Sequence, residues 1–558
     1  MVNKHKIEIP IFLAAFASSL YLGRILPSVL EGISLGSMVR ALIPVVLLLG
    51  AGYLTTLFTR GYIGLSNLNK KTEKLSPALL FSIMLLSGII GFILSKGAAD
   101  LGFTYIGVGL LVLGGVFYSV WCYLTGDYNL GLIFFFLTLP FISFLEWDFR
   151  NTWFAGGPLG PIMVSPSLIF IWLCFLAMAA SMVSKQFKVI FPYKGPAVLF
   201  LGWMFLSAIF SRHPVFSLRE WWMHVVSFPL VIALVINSVN KLEESSRAIV
   251  AFAGYVLLRI AIVYYFYGQT VGYNFNMLID MYSNFIGGKV VLHIGILAIT
   301  GVAVFPIIIS WLFREKNTTL RTVWFISILF VLWIIFVLQL RSSMLALLMT
   351  LPFLLFYIKV SIPRLAAVAF LLITITAIIV YMIPQALLRF APWYSIAGVL
   401  KDQAMRLDAW QAAIRMVFDH PVLGIGPAMW SEYFPMYSKN LNFMYRINSA
   451  HNPFFTYLSN SGIVMLAGIS WFYCRLINDS IVSIKNRSSE QEKSMDIGLL
   501  WSITAVTLLG LLGAVSSLTF IGWEPDTYGV TTVVDVVIAF GFIVGAISSR
   551  RRLTEHAT

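Results

Sequence analysis

The chain has 558 residues, of which 59% are hydrophobic and only 11% charged, where soluble chains average roughly 25% charged. Apolar runs of roughly 15 to 24 residues recur along nearly the whole length. This excludes a soluble enzyme with an anchor, a nucleic-acid-binding protein and a disulfide scaffold, so the formal charge of +14 reports orientation before it reports partners.

In chain order, segments long enough to cross about 30 Å of hydrocarbon fall near 9–27, 39–57, 76–95, 104–123, 129–145, 166–183, 196–210, 221–238, 247–266, 290–313, 322–340, 342–358, 365–383, 454–475, 498–521 and 530–547. The reading is an all-α, polytopic membrane protein with about sixteen spans. Fourteen or fifteen stay open, because 129–145 and 196–210 are short and Gln339 to Ser343 can break one segment. An even count puts both ends on one side. With the N-terminus cytoplasmic, 23 of the 38 Lys and Arg fall in short cytoplasmic segments and six in short outer loops, the bias expected of that orientation. The basic start through Lys6, followed by Ala15-Phe16-Ala17, has the outline of a signal peptide. The apolar run before that site is short, and cleavage would remove only the first span. Cys122, Cys174 and Cys474 are odd in number and sit in apolar runs, which points to packing rather than disulfides.

Residues 385–453 break the pattern. They form a long segment on the outer side, rich in proline but also carrying Trp393, Trp410, Trp430, Phe434, Tyr437 and Phe443. Loops of this length are functional or disordered, and this aromatic density argues for a folded lid lying on the membrane. Asp402 is suited to N-cap a helix running to about Asp419, with an apolar face of Ala404, Leu407, Trp410, Ile414 and Val417. Arg406 then projects from its first turn. His420-Pro421 ends the helix, and Gly424 and Gly426 supply a turn.

The chain contains no Walker loop, no G-x-G-x-x-G opening a helix, no H-E-x-x-H and no C-x-x-C. Its outer loops hold no D-x-D, the carboxylate pair that would carry a divalent cation against a pyrophosphate. Any phosphate-bearing substrate must therefore meet cationic side chains. Arg341, at the outer boundary of Arg341-Ser342-Ser343-Met344-Leu345, reads either as an interfacial anchor or as an anion ligand. Arg406 reads either as an ion-pair partner of Asp402 or as the second arginine that bidentate pyrophosphate recognition requires. His451, in Ser449-Ala450-His451-Asn452-Pro453 at the start of a span, is either a polar helix cap or a base active near neutral pH. Arg259, His293 and Asp535 are further ionisable groups in apolar context, too scattered to define an ion path.

The run from Arg406 through Trp410, Asp419-His420-Pro421-Val422-Leu423-Gly424-Ile425-Gly426 and Ala450-His451-Asn452 to Ser461-Gly462 resembles the O-antigen ligase superfamily, which includes O-antigen polymerases and some protein O-oligosaccharyltransferases. The resemblance covers roughly residues 200 to 475. The R-x-x-x-L pattern falls on Arg341 to Leu345. The H-N-x9-G-x-x-G pattern falls on His451, Asn452 and Gly462, with Met465 in place of the last glycine.

The resemblance implies a GT-C-like glycosyltransferase of the bacterial inner membrane, its active site facing the periplasm under a lid. It divides the chain into N-terminal spans (1–195), the ligase-like membrane core (196–384), the periplasmic loop (385–453), and C-terminal spans with a cytoplasmic tail (454–558). The implied donor is a polyprenyl-pyrophosphate-linked glycan, its pyrophosphate held by Arg341 and Arg406. His451 is the implied catalytic base, Asn452 the candidate to orient it, and no metal or other cofactor is required. The acceptor is lipid A core for a ligase, a second lipid-linked chain for a polymerase, or a protein hydroxyl for an oligosaccharyltransferase. A lipid-linked glycan flippase or another transporter is the reading from a different class; it would show pseudo-symmetric halves and would not need His451.

Overall fold

The computed structural model describes residues 101–149, 166–222, 226–271, 294–312, 315–316, 318–337, 343, 345–347, 349–350, 396–439, 450, 452–511 and 530–555. The described residues are helical, with no strand among them, and the chain is an all-α membrane protein. Ser167–Ser184, Pro453–Lys485 and Glu490–Leu511 are each long and apolar enough to cross a membrane. The spans expected at 9–27, 39–57, 76–95 and 365–383, and most of 342–358, lie outside the described residues. The chain divides into two compact units, Met1–Lys188 with Lys241–Tyr273, and Val189–Asn240 with Asn274–Thr558.

In the first unit, α1 (Leu101–Thr125), α2 (Tyr128–Phe149), α3 (Pro166–Ser184) and α7 (Leu242–Val271) pack together. α1 and α2 form a hairpin closed at Gly126, whose φ of +89° lets Asp127 N–H donate back to Cys122 O at 2.9 Å. Phe135 meets Phe170 of α3 with ring centroids 5.1 Å apart, and Phe136 meets Phe252 of α7 at 5.8 Å. α3 shows why the solvent here is lipid. Its outward Ile169, Leu173, Leu176 and Val183 are as apolar as its buried Leu168, Ile171, Cys174 and Met178, the pattern of a helix surrounded by hydrocarbon.

The second unit contains α4 (Lys194–Ile209), α5 (Pro214–Glu220), α6 (Ser227–Ser238), α8 (Ile294–Leu312), α9 (Thr318–Val337), α10 (Ile396–Asp419), α11 (Trp430–Tyr437), α12 (Pro453–Lys485), α13 (Glu490–Leu511) and α14 (Val530–Glu555). Without a hydrophobic force between helices in lipid, close packing must come from small residues and interhelical hydrogen bonds. α14 supplies Gly541 and Gly545, four apart, against Val231 and Val235 of α6. α13 supplies Gly498 against Ser310 of α8, and Ser494 Oγ donates to Ser310 O at 2.7 Å.

One expectation is extended. Within the span expected over 221–238, α6 starts at Ser227 and Trp221 and Trp222 form a wider helical turn before it, while the separate short helix α5 starts at Pro214. Proline suits the first turn of each, Pro214 in α5 and Pro229 in α6, because the N–H it lacks has no helical partner there. α12 runs ten residues past the expected end at 475. Its burial continues at Leu476, Ser480, Ser483 and Ile484, a helical spacing that keeps one face against its neighbours.

Candidate functional site

The described part of the long segment, called the lid below after its expected role, packs around a core of its own. Ala409, Ala412, Ala413 and Met416 of α10 pack with Ile425, Met429, Trp430, Phe434 and Ala450. α10 begins at Ile396 rather than at Asp402, since the run Ile396 to Lys401 contains no proline and continues the helix. Arg406 therefore sits well inside the helix instead of in its first turn. The buried face of α10 is the small-residue stripe just named, while Leu407 and Ile414 of the expected apolar face are exposed with Phe418 along the opposite side, so the helix carries two apolar faces.

Polar contacts fix α11 on α10. Asp408, buried, accepts from Ser438 Oγ and from Lys439 N–H. Arg415 donates to Tyr437 O, and Tyr437 OH donates to Asp419 at 2.7 Å. Burial, and then that bond to a carboxylate, push the Tyr437 pKa up to about 12, so the phenol remains a donor throughout the physiological range. From outside the lid, Arg212 reaches Glu432 at 2.8 Å and His213 reaches it at 3.2 Å, while Ser217 Oγ donates to Pro427 O at 2.6 Å.

The junction between lid and membrane helix is built with equal definition. Asn452 caps α12, its Oδ1 accepting from Phe454 N–H at 3.0 Å and Phe455 N–H at 3.4 Å, with Pro453 at the first helical position. Trp410 Nε1 donates to Ala450 O at 3.0 Å, and its ring stacks on Phe455 at 5.5 Å. Arg406 lies one turn before Trp410 on the same face of α10 and is half-buried. The helix that carries Arg406 is thus bonded to the residue immediately before His451. Arg341 and His451 themselves lie outside the described residues, as does His293; of Asp535 only the helical backbone is described. Arg259 is buried in α7 of the first unit.

Nine residues into α12, Gly462 breaks the helix with φ +76° and ψ −175°. The freed carbonyls are all taken. Ser459 O accepts from Ile425 N–H and Asn460 O from Gly426 N–H, both at 2.9 Å. Asn460 O also accepts from Ser207 Oγ at 2.8 Å, and Ser461 O from Trp203 Nε1 at 2.9 Å. In return Ile463 N–H donates to Pro421 O at 3.0 Å. Sequence reasoning singled out Gly424, Gly426 and Gly462 but not Trp203 and Ser207 of α4. Both donate to main-chain carbonyls, which every residue carries, so the sequence held no signal for them.

Residues 325–470 match the family model described as O-Antigen ligase. Over those residues the chain is similar to the O-antigen ligase and polymerase superfamily. The matched stretch starts within α9 and ends within α12, so it spans Arg341, all of the lid, His451, Asn452 and the break at Gly462. Trp203 and Ser207 lie outside it. None of the curated proteins compared matches the chain.

Next to α12 lies an apolar cavity of about 50 Å³. Tyr457, Gly468 and Tyr473 of α12, Phe200 of α4, Phe228 of α6 and Phe540 of α14 are among its walls.

Proposed function

We propose that the protein is a metal-independent, inverting glycosyltransferase that moves a glycan from polyprenyl pyrophosphate to an acceptor hydroxyl on lipid A core, at the periplasmic face of the inner membrane. The observation that carries this is the bond from Trp410 Nε1 to Ala450 O, which ties the helix bearing Arg406 to the chain junction bearing His451. An anion-binding cation and a base at one corner is what the chemistry needs.

In this reading Arg341 and Arg406 hold the donor pyrophosphate and stabilise the charge that grows on it. His451 takes the proton of the acceptor hydroxyl as that oxygen attacks the anomeric carbon. The new glycosidic C–O bond forms as the bond from the anomeric carbon to the pyrophosphate oxygen breaks on the opposite face, and the carrier leaves as its pyrophosphate. The activated donor makes ATP unnecessary. Asn452 caps α12 and so fixes the turn next to His451, which is how it would orient the imidazole. The exposed Leu407, Ile414 and Phe418 suit a lid resting on the membrane interface. The sixteen-span, GT-C-like topology with both termini cytoplasmic belongs to this proposal.

A second reading, polymerisation of lipid-linked repeat units, has Met465 in its favour, since it replaces the last glycine of H-N-x9-G-x-x-G. Both readings use the same base. His451→Ala, reconstituted with lipid-linked donor and acceptor, is expected to be expressed normally and to lose transfer by two orders of magnitude or more, in keeping with the scale of general-base catalysis at roughly 10² to 10⁴. Retained transfer would remove His451 from the mechanism.

A further inference from the structure

We infer that Trp203, Ser207 and Trp410 are positioning residues, which close a rigid frame holding Arg406 and the His451–Asn452 corner in register. The inference rests on the transferase reading for its functional consequence, though not for its geometry.

The first half of α12, residues 453–461, is only about 13 Å long at 1.5 Å per residue, and the Gly462 break uncouples it from the rest of the helix. Nothing in its own backbone ladder beyond that point fixes its direction. Both of its ends are tied instead to the lid. At the N-terminal end Trp410 of α10 bonds Ala450 O and stacks on Phe455. At the other end the segment that follows α10 pairs with the break through Ile425 to Ser459, Gly426 to Asn460 and Ile463 to Pro421. The circuit from α10 through residues 421–426, along the half-helix and back to α10, is closed.

Trp203 and Ser207 rivet that circuit to α4. The Trp203 indole N–H is shared between Ser461 O at 2.9 Å and Val422 O at 3.2 Å, one acceptor on each side of the joint. Ser207 Oγ supplies the second bond to Asn460 O at 2.8 Å. The two residues lie four apart on α4, so one helix face presents both donors. The Ser207 bond is buried, where no water replaces a lost donor, and the Trp203 bonds are two to one donor, so that both sides of the joint depend on it. Arg406 and the corner before Asn452 therefore keep a constant separation whatever the lid does as a whole, and loosening the rivet spoils alignment rather than affinity. Misplacement of reacting groups by about 1 Å costs on the order of a hundredfold in rate.

The test uses the full chain in nanodiscs. Trp203→Phe keeps the aromatic packing and removes both bonds; Ser207→Ala is the milder variant should the first fold poorly. Amide hydrogen exchange at Ile425, Gly426 and Ile463 is expected to rise at least tenfold in Trp203→Phe. In the transfer assay kcat is expected to fall ten- to a hundredfold with the donor KM within twofold. Trp410→Phe should show the same split between kcat and KM, with exchange at the three amides little changed. Unchanged exchange in both α4 variants overturns the rivet. Faster exchange with unchanged kcat overturns the positioning role and leaves the bonds merely structural. Transfer that survives His451→Ala removes the base but leaves the exchange result standing, so the two failures are separable.

Discussion

Gly462 is the residue on which most of the site's geometry turns. Its φ of +76° with ψ −175° lies in a region open essentially to glycine alone, where a side chain costs roughly 1–3 kcal/mol in backbone strain. An added Cβ would also stand 2.1 Å from Val422 O and 2.6 Å from Pro421 O, both backbone atoms that can move only if the whole 421–426 segment retreats. Gly462→Ala is therefore expected to lower the melting temperature and to disturb the lid's tryptophans together, read by intrinsic fluorescence during thermal unfolding. A variant that melts like wild type with an unaltered spectrum would contradict the geometry of the break. Met465, which replaces the next glycine of the family pattern, is fully buried yet has ordinary helical geometry. That explains how this chain tolerates a side chain at one glycine position of the motif while the other has no room for one.

At the scale of elements, the C-terminal parts of α12 and α14 and the N-terminal part of α13 meet in a buried ionic cluster. Asp496 accepts from Arg487 Nε at 2.8 Å, from Ser483 Oγ at 3.0 Å and from Arg550 Nε, and Arg550 also reaches Glu492. The Arg550 side chain is wholly buried. Burial alone would disfavour its charge, but Asp496 and Glu492 outweigh it and hold the guanidinium pKa above arginine's ordinary value. Removing one partner of such a group leaves charge stranded, at a cost of about 3–5 kcal/mol. Asp496→Ala should lose stability on that scale in a denaturation midpoint while transfer per folded molecule stays near wild type; a shift below about 1 kcal/mol would mean the arginines find water. This cluster also shows where hydropathy stops being a guide. The apolar runs end near 475 and begin again near 498, so sequence placed the span boundaries there, yet the helices extend to Lys485 and start at Glu490. The polar residues between are helical because they are paired with one another, and pairing across three helices leaves no trace in a single run of residues. Likewise α10 was read correctly as a helix, though it starts at Ile396 rather than Asp402, and only one of its two apolar faces was named. Both of its faces are apolar, and composition does not say which of them meets a protein core and which is left exposed.

At the scale of the whole molecule, the start of α12 was legible, because an asparagine before a proline at the head of an apolar run is a cap signal and Asn452 does cap the helix, whereas Arg341 and His451 lie outside the described residues. The joining of α10 to the Ala450 carbonyl was not legible, since an indole N–H can reach any buried acceptor. The same limit applies to the acceptor substrate, because ligase and polymerase place the same demands on these residues and differ in what is delivered to them. The cell distinguishes the two. Deleting the gene in its host and analysing the glycans on lipid A core and on the polyprenyl carrier should, for a ligase, strip glycan from the core while long polymer accumulates on the carrier. A core still bearing a single repeat unit would instead mean that ligation proceeds and that polymerisation was lost. A flippase would leave unpolymerised lipid-linked glycan on the cytoplasmic leaflet. Only this last pattern would be independent of His451, so repeating the analysis with the His451→Ala allele in place of the deletion decides between transfer and transport: the transferase reading requires the allele to reproduce the deletion.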